Sequence, residues 1–292
     1  MKRLLPACGL FGLLLTACQI DKRVTATPLG NVGPIPTERT IAQADFLAKY
    51  NANAQKLAVL YARTSVEITW METRADGSAK LRHESGDGKV ICQAPAGTAI
   101  TVEKDLAGLL LWAGSDASRY WLFDRTGDVS TLYVGAQNGP AAKRGLLGLP
   151  VRPQDVPALL GLKPLGELES IDLKWCVSPA GQGYYHFEQP GLRMLVEPDS
   201  WMPARVELTD AHGKAQVTAE LSGRVEVEGD PGALLRQRAE IFPAGREARL
   251  NITVKSTSDP AKVKPGLFDL DGMLIPSHKP KKTVDLDREA QS

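Results

Sequence analysis

The chain has 292 residues, 43% hydrophobic and 24% charged, which suits one large folded domain or two small ones and excludes a disordered composition. Lys and Arg total 35 against 34 Asp and Glu, a net charge of +1 that lacks the basic excess of a nucleic-acid binder. Four Cys and four His exclude a dense disulfide framework and argue against a clustered metal site.

Residues 1–17 read as an export signal. Lys2 and Arg3 make a charged start, and Leu10 to Leu15 form the heart of an apolar run too short to span a bilayer. Leu15-Thr16-Ala17-Cys18 resembles the lipobox of bacterial lipoproteins. That resemblance implies cleavage before Cys18 and a diacylglycerol on its thiol. Gln19 stands where Asp would hold an enterobacterial lipoprotein at the inner membrane, so the implied location is the outer membrane, facing the periplasm. No later stretch approaches the ~20 apolar residues of a transmembrane helix. Residues 18–37, with Pro28, Pro34, Pro36, Gly30 and Gly33, read as a lipidated start and flexible tether.

A helix is expected over residues 38–61, where Phe46, Tyr50, Asn53, Leu57, Leu60 and Tyr61 form one stripe of 3.6-residue period. From Thr64 the period becomes two: Val66, Ile68 and Trp70 alternate with Glu67, Thr69 and Met71. A hairpin turn falls at 75–78, and Leu81 and His83 lie on the return. Val90 and Cys92 follow Gly86-Asp87-Gly88. Strands are expected at 100–102, 109–112, 120–124 and 131–134, then a Gly- and Ala-rich loop to 150 and a short helix over 154–162 begun by Pro153. Strand patterns resume at 171–177, 184–189, 193–197, 205–209, 216–221, 224–228 and 249–255. Residues 276–292 are charged and hold Pro276 and Pro280, which reads as a mobile tail.

This order of elements specifies a mainly β (α+β) domain over 38–275: a single curved antiparallel sheet, too long to stay flat, that must curl or close around a concave apolar hollow. Local echoes are Ser118-Arg119-Tyr120-Trp121-Leu122-Phe123-Asp124, the run from Trp201 to Leu208, and Pro265-Gly266-Leu267-Phe268. On that order and those echoes the chain resembles the outer-membrane lipoprotein carrier and receptor superfamily, the LolA/LolB-like fold. The resemblance implies that the sheet forms an unclosed half-barrel lidded by helices, with the apolar hollow beneath them; Cys18 points to its receptor-like or lipid-binding lipoprotein branches, since the soluble carrier is not lipidated.

Trp112 and Phe123 are the residues read as facing that hollow, from strand alternation. Cys92 and Cys176 lie in expected strands and form either a bridge or two buried thiols. Phe268-Asp269-Leu270-Asp271-Gly272 resembles the first motif of haloacid-dehalogenase-type phosphatases. The charged, Pro-containing residues after it suit no βαβ unit, so a closing turn is expected instead. His83, His186, His212 and His278 are isolated on different elements and give no metal spacing. Neither a catalytic set nor a cofactor is expected.

Two function classes follow. One is a membrane-anchored envelope lipoprotein that takes a lipid, or an acylated lipoprotein, into its hollow by shape and apolar burial, without covalent chemistry. The other is a structural or sensory envelope lipoprotein that binds another protein and has no lipid ligand.

Overall fold

The computed structural model describes residues 33–34, 39–73, 78–94, 97–139, 151–166, 171–245 and 247–289. The signal segment and Cys18 lie outside the described residues, as do most of the tether and the 75–77 turn.

In chain order the elements are β1 (Gly33–Pro34), α1 (Gln43–Lys56), β2 (Val59–Thr73), β3 (Ala79–Gln93), β4 (Gly97–Lys104), β5 (Gly108–Ser115), β6 (Arg119–Asp124) and β7 (Thr131–Ala136). After α2 (Val156–Leu159) come β8 (Asp172–Val177), β9 (Gly183–Gln189), β10 (Leu192–Val196), β11 (Pro203–Thr209) and β12 (Ala215–Ser222). The two-residue strands β13 (Val225–Glu226) and β14 (Leu234–Leu235) pair with each other. The chain continues through β15 (Arg238–Pro243), β16 (Arg249–Ser258), α3 (Ile275–His278), β17 (Lys282–Asp285) and α4 (Leu286–Glu289).

Among the described residues one 15-stranded sheet runs β1-β8-β9-β10-β11-β12-β15-β16-β2-β3-β4-β5-β6-β7-β17. Every pairing is antiparallel except β7 with β17, and the two outermost strands do not meet, so the sheet stays unclosed. The β2–β16 seam, from Arg249↔Thr69 to Ser258↔Tyr61, joins two wings that are far apart in sequence.

Three local readings are corrected. The first helix ends at Lys56, and Leu60 and Tyr61 belong to β2, where they pair with Cys92 and Ile91. Apolar residues at those positions satisfy both periods, and cross-strand pairing wins. Gly86-Asp87-Gly88 does not break the return strand, which is continuous from Ala79 to Gln93. The glycines are there for clearance, since a methyl on Gly86 or Gly88 would run into the carbonyl oxygens of Glu103 or Thr101 on β4. β15 carries no strand expectation from the sequence; it fills the gap between β12 and β16 and extends the ladder through both.

The two sheet faces bury different cores. The face bearing α1 and α2 holds the larger one, including Val66, Ile68, Ile100, Val102, Leu111, Leu122, Phe187, Val206 and Ile252. Phe46 of α1 stacks on Phe187 at 5.5 Å and meets Tyr185 edge-on at 5.9 Å. Trp201 stacks on Tyr185 at 5.4 Å, and this packing offsets its left-handed backbone, φ 56°.

The opposite face of β3 to β7 carries Ile91, Ala99, Trp112, Trp121, Phe123 and Leu132. It is covered by residues 263–278, which drop Phe268, Leu270 and Leu274 onto it. Residues 276–289 therefore do not form a detached tail. Val284 and Leu286 are buried, and β17 pairs with β7 from Lys282↔Thr131 to Asp285↔Val134. Composition suggested solvation, but alternation in Thr283-Val284-Asp285-Leu286 supplies two apolar side chains and an exposed edge was free to pair.

Candidate functional site

The hollow lies between the two wings, under the segment 151–165. Pro153, Gln154 and Asp155 form a 3₁₀ turn that runs into α2. This turn packs on β4, β5 and β6, while α2 packs on β11 of the other wing. One short segment touching both wings requires the sheet to curl around it, so the helix-bearing face is the concave one.

Val66, Ile68, Val102, Leu111, Leu122 and Leu250 line the sheet side of the hollow, and Val151, Pro153 and Val156 close it from above. The remaining void is about 30 Å³, room for about two water molecules. No charged side chain lines it. The hollow is largely filled by the chain's own side chains in this conformation.

Polar side chains of α1 hold the cover in place. Asn51 donates to Leu165 O at 2.8 Å and accepts from Leu165 N at 2.7 Å. Asn53, the polar member of the apolar stripe, does the same for Leu234 with two 3.0 Å bonds. Tyr50 donates to Gly161 O at 3.4 Å, and burial pushes its phenol well above the ordinary range. Gly161 sits at φ +72° against Pro203, a conformation and a spacing that favour Gly. The paired Asn bonds were missed from sequence: a polar residue within an apolar stripe was the visible signal.

Trp112 and Phe123 are not in the hollow. They are cross-strand partners on β5 and β6, and both point to the opposite face. The His278 ring covers them, at 5.3 Å from Trp112 and 5.5 Å from Phe123. Alternation groups residues by face without saying which face is concave; Leu111 and Leu122, one position away, are the ones under the cover.

Cys92 and Cys176 are both free and buried. They sit on β3 and β8, with seven strands between them in the sheet order, so no bridge can form. Burial pushes the Cys92 thiol up to about 12 and raises that of Cys176.

The Asp269 carboxylate accepts from Gly272 N at 2.8 Å and shapes a single π turn over 270–274. Asp271 is exposed and pairs with Arg119 at 3.0 Å. The two carboxylates thus serve the closing turn and its attachment to β6. His83 lies beside Thr69, His212 occupies a turn, and His186 is partly buried on β9, which lowers its pKa. Among the described residues no group of three His, Cys, Asp or Glu is placed to hold a metal ion.

A second depression, of about 1230 Å³, opens on the other face across β2, β15, β16 and β12. Its walls mix apolar residues such as Leu81, Leu221 and Ile252 with interlocked ion pairs. Arg249 meets Glu240 at 2.6 Å, and the buried Arg236 meets Glu197 at 3.0 Å while also donating to Met202 O and Pro203 O. Nearby, Arg205 bridges Glu207 and Glu220.

No family model matches the sequence, and no curated protein matches it either. Among solved structures, the chain is similar to a putative outer membrane lipoprotein-sorting protein domain from Vibrio parahaemolyticus, with a TM-score of 0.51 and 11% identity over 77% of this chain and 95% of that one. The chain shares its fold with that domain. Two further structures are similar at lower scores. One is a LolA superfamily protein from Nitrosomonas europaea, TM-score 0.47 and 10% identity over 78% of this chain and 98% of that one. The other is a DUF1329 family protein from Desulfovibrio piger, TM-score 0.46 and 9% identity over 77% and 94%.

Proposed function

We propose that this protein is a lipid-anchored envelope protein, held at the outer membrane by Cys18 and facing the periplasm, that takes a lipid or the acyl part of a lipoprotein under the 151–165 cover. It works by shape and apolar burial, without covalent chemistry or a cofactor. The observation that carries this reading is the wholly apolar lining between two wings, closed by a short segment that polar bonds from α1 hold in place. Each buried CH₂ of a ligand contributes ~0.8 kcal/mol, so an acyl chain of ordinary length binds at micromolar concentration without a specific polar contact. Since the void is only about 30 Å³, loading requires the cover to move off the sheet.

The test uses the chain from Gln19, which keeps every described residue. Saturable binding of a fluorescent fatty acid, weakened by Ala113→Trp on the hollow's lining, is the expected result. No binding and no lipid in an organic extract of the purified protein would refute it. The same small void favours a second reading, in which the hollow stays self-filled and the domain is a structural or sensory module binding another protein; that reading gains if the fatty acid fails to bind.

A further inference from the structure

Three large apolar side chains stand out as exposed among the described residues: Leu81, Leu106 and Val129. Single exposed leucines are ordinary on a protein surface. Their placement is not random, however. Leu106 sits in the turn between β4 and β5, and Val129 in the turn between β6 and β7. Leu81 lies near the start of β3. The antiparallel registers put the end of β4, the start of β5, the end of β6 and the start of β7 at one end of the strands. Leu81 lies on the part of β3 that runs on past the end of β4 beside β2, away from the other two, whereas the turns of Leu106 and Val129 share one end and are about two strand spacings apart, roughly 10 Å.

A cationic cluster stands at that same end. β17 runs parallel to β7 and begins opposite Thr131, so the residues just before it lie beside the β6–β7 turn. Lys281 N donates to Ser130 O at 3.0 Å and Lys282 N at 3.2 Å, which fixes this backbone next to Val129. Lys279, Lys281 and Lys282 are exposed, and none is ion-paired among the described residues. Arg125, in the same turn as Val129, is exposed as well. Exposed Asp105 and Asp128 offset part of this charge, and the balance remains positive. Left-handed Lys279, φ 44°, ends α3 and turns the chain toward Ser130.

We propose that this end of the sheet is a docking surface for an anionic lipid bilayer. Leu106 and Val129 enter the interface, and Lys279, Lys281, Lys282 and Arg125 pair with headgroups around them. Apolar tips flanked by unpaired cations match the two components of a membrane surface: an apolar layer beneath negative charge. The surface is separate from the hollow and does not depend on what the hollow holds.

The experiment is vesicle flotation of the chain from Gln19, which lacks the lipid anchor, with phosphatidylcholine vesicles with and without phosphatidylglycerol. Binding is expected only to the anionic vesicles and is expected to vanish at ~1 M salt, where charges are screened beyond ~3 Å. Each lysine near such a surface contributes about fivefold in affinity, so Lys279→Gln, Lys281→Gln and Lys282→Gln together should weaken binding roughly 100-fold. Leu106→Ser with Val129→Ser should weaken it about tenfold, and since both side chains are exposed the variant should keep the parent melting temperature. Absence of flotation, equal binding to neutral vesicles, or full binding by both variants would overturn the proposal.

Discussion

Phe268 occupies the space that any side chain on Gly97 would need: a Cβ added to Gly97 would lie 2.5 Å from Phe268 Cγ. This contact joins the first residue of β4 to the C-terminal cover of the opposite face. Gly97→Ala should therefore lift Phe268 and loosen residues 263–278, at roughly 1–3 kcal/mol. Thermal unfolding reads the stability loss. Hydrogen exchange should show lost protection at 267–274 before any at α1; unchanged exchange there would refute the contact's role.

The cover is expected to be sensitive to acid. Burial against Trp112 and Phe123 lowers the His278 pKa, and Arg125 lowers it further. A histidine depressed in the folded state binds more protons when unfolded, so its contribution to stability is complete above the ordinary value near 6.5 and declines as pH falls below it. Partly buried His186 acts in the same direction and the same range. The lowered carboxylates of Asp116, Glu188 and Glu197 lose their contribution only at lower pH, below their ordinary values near 4. Melting temperature should fall between pH 7 and pH 5, and His278→Phe should reduce that fall. An identical pH profile in the variant would refute the assignment.

Arg236 is buried, and its charge is matched by Glu197 and by two backbone carbonyls of the β10–β11 connection. Arg236→Ala should cost about 3 kcal/mol, because Glu197 loses a partner and two buried acceptors lose their donor. Arg224→Ala, which removes the exposed partner of the same carboxylate, should cost under ~1 kcal/mol. Equal losses in urea titrations of the two variants would count against this account.

Neither thiol in the described fold should be reactive. Thiol titration of the chain from Gln19 should find none reacting quickly at pH 8 and two after denaturation, without reductant. A single fast thiol, or none in denaturant, would contradict the buried, unbridged arrangement.

Lipidation is checked on the mature protein. Its mass should correspond to a chain beginning at Cys18 with added acyl groups, and Cys18→Ser should abolish that addition. An unacylated product beginning elsewhere would overturn the anchor.

Much of this fold was legible in the sequence because its elements are local patterns. Alternation marked most of the strands without reference to the rest of the chain. The 3.6-residue stripe marked α1, and Pro153 marked the start of the cover. What tertiary structure decided was everything that depends on curvature and closure. The direction in which the sheet curls put Leu111 and Leu122, not Trp112 and Phe123, beneath the cover. The long β2–β16 seam set Cys92 far from Cys176. A free edge at β7 recruited Val284 and Leu286 from a segment whose charge alone suggested solvent. In each case the local pattern permits two arrangements of similar local energy, and only the burial of apolar surface between elements distant in sequence selects one.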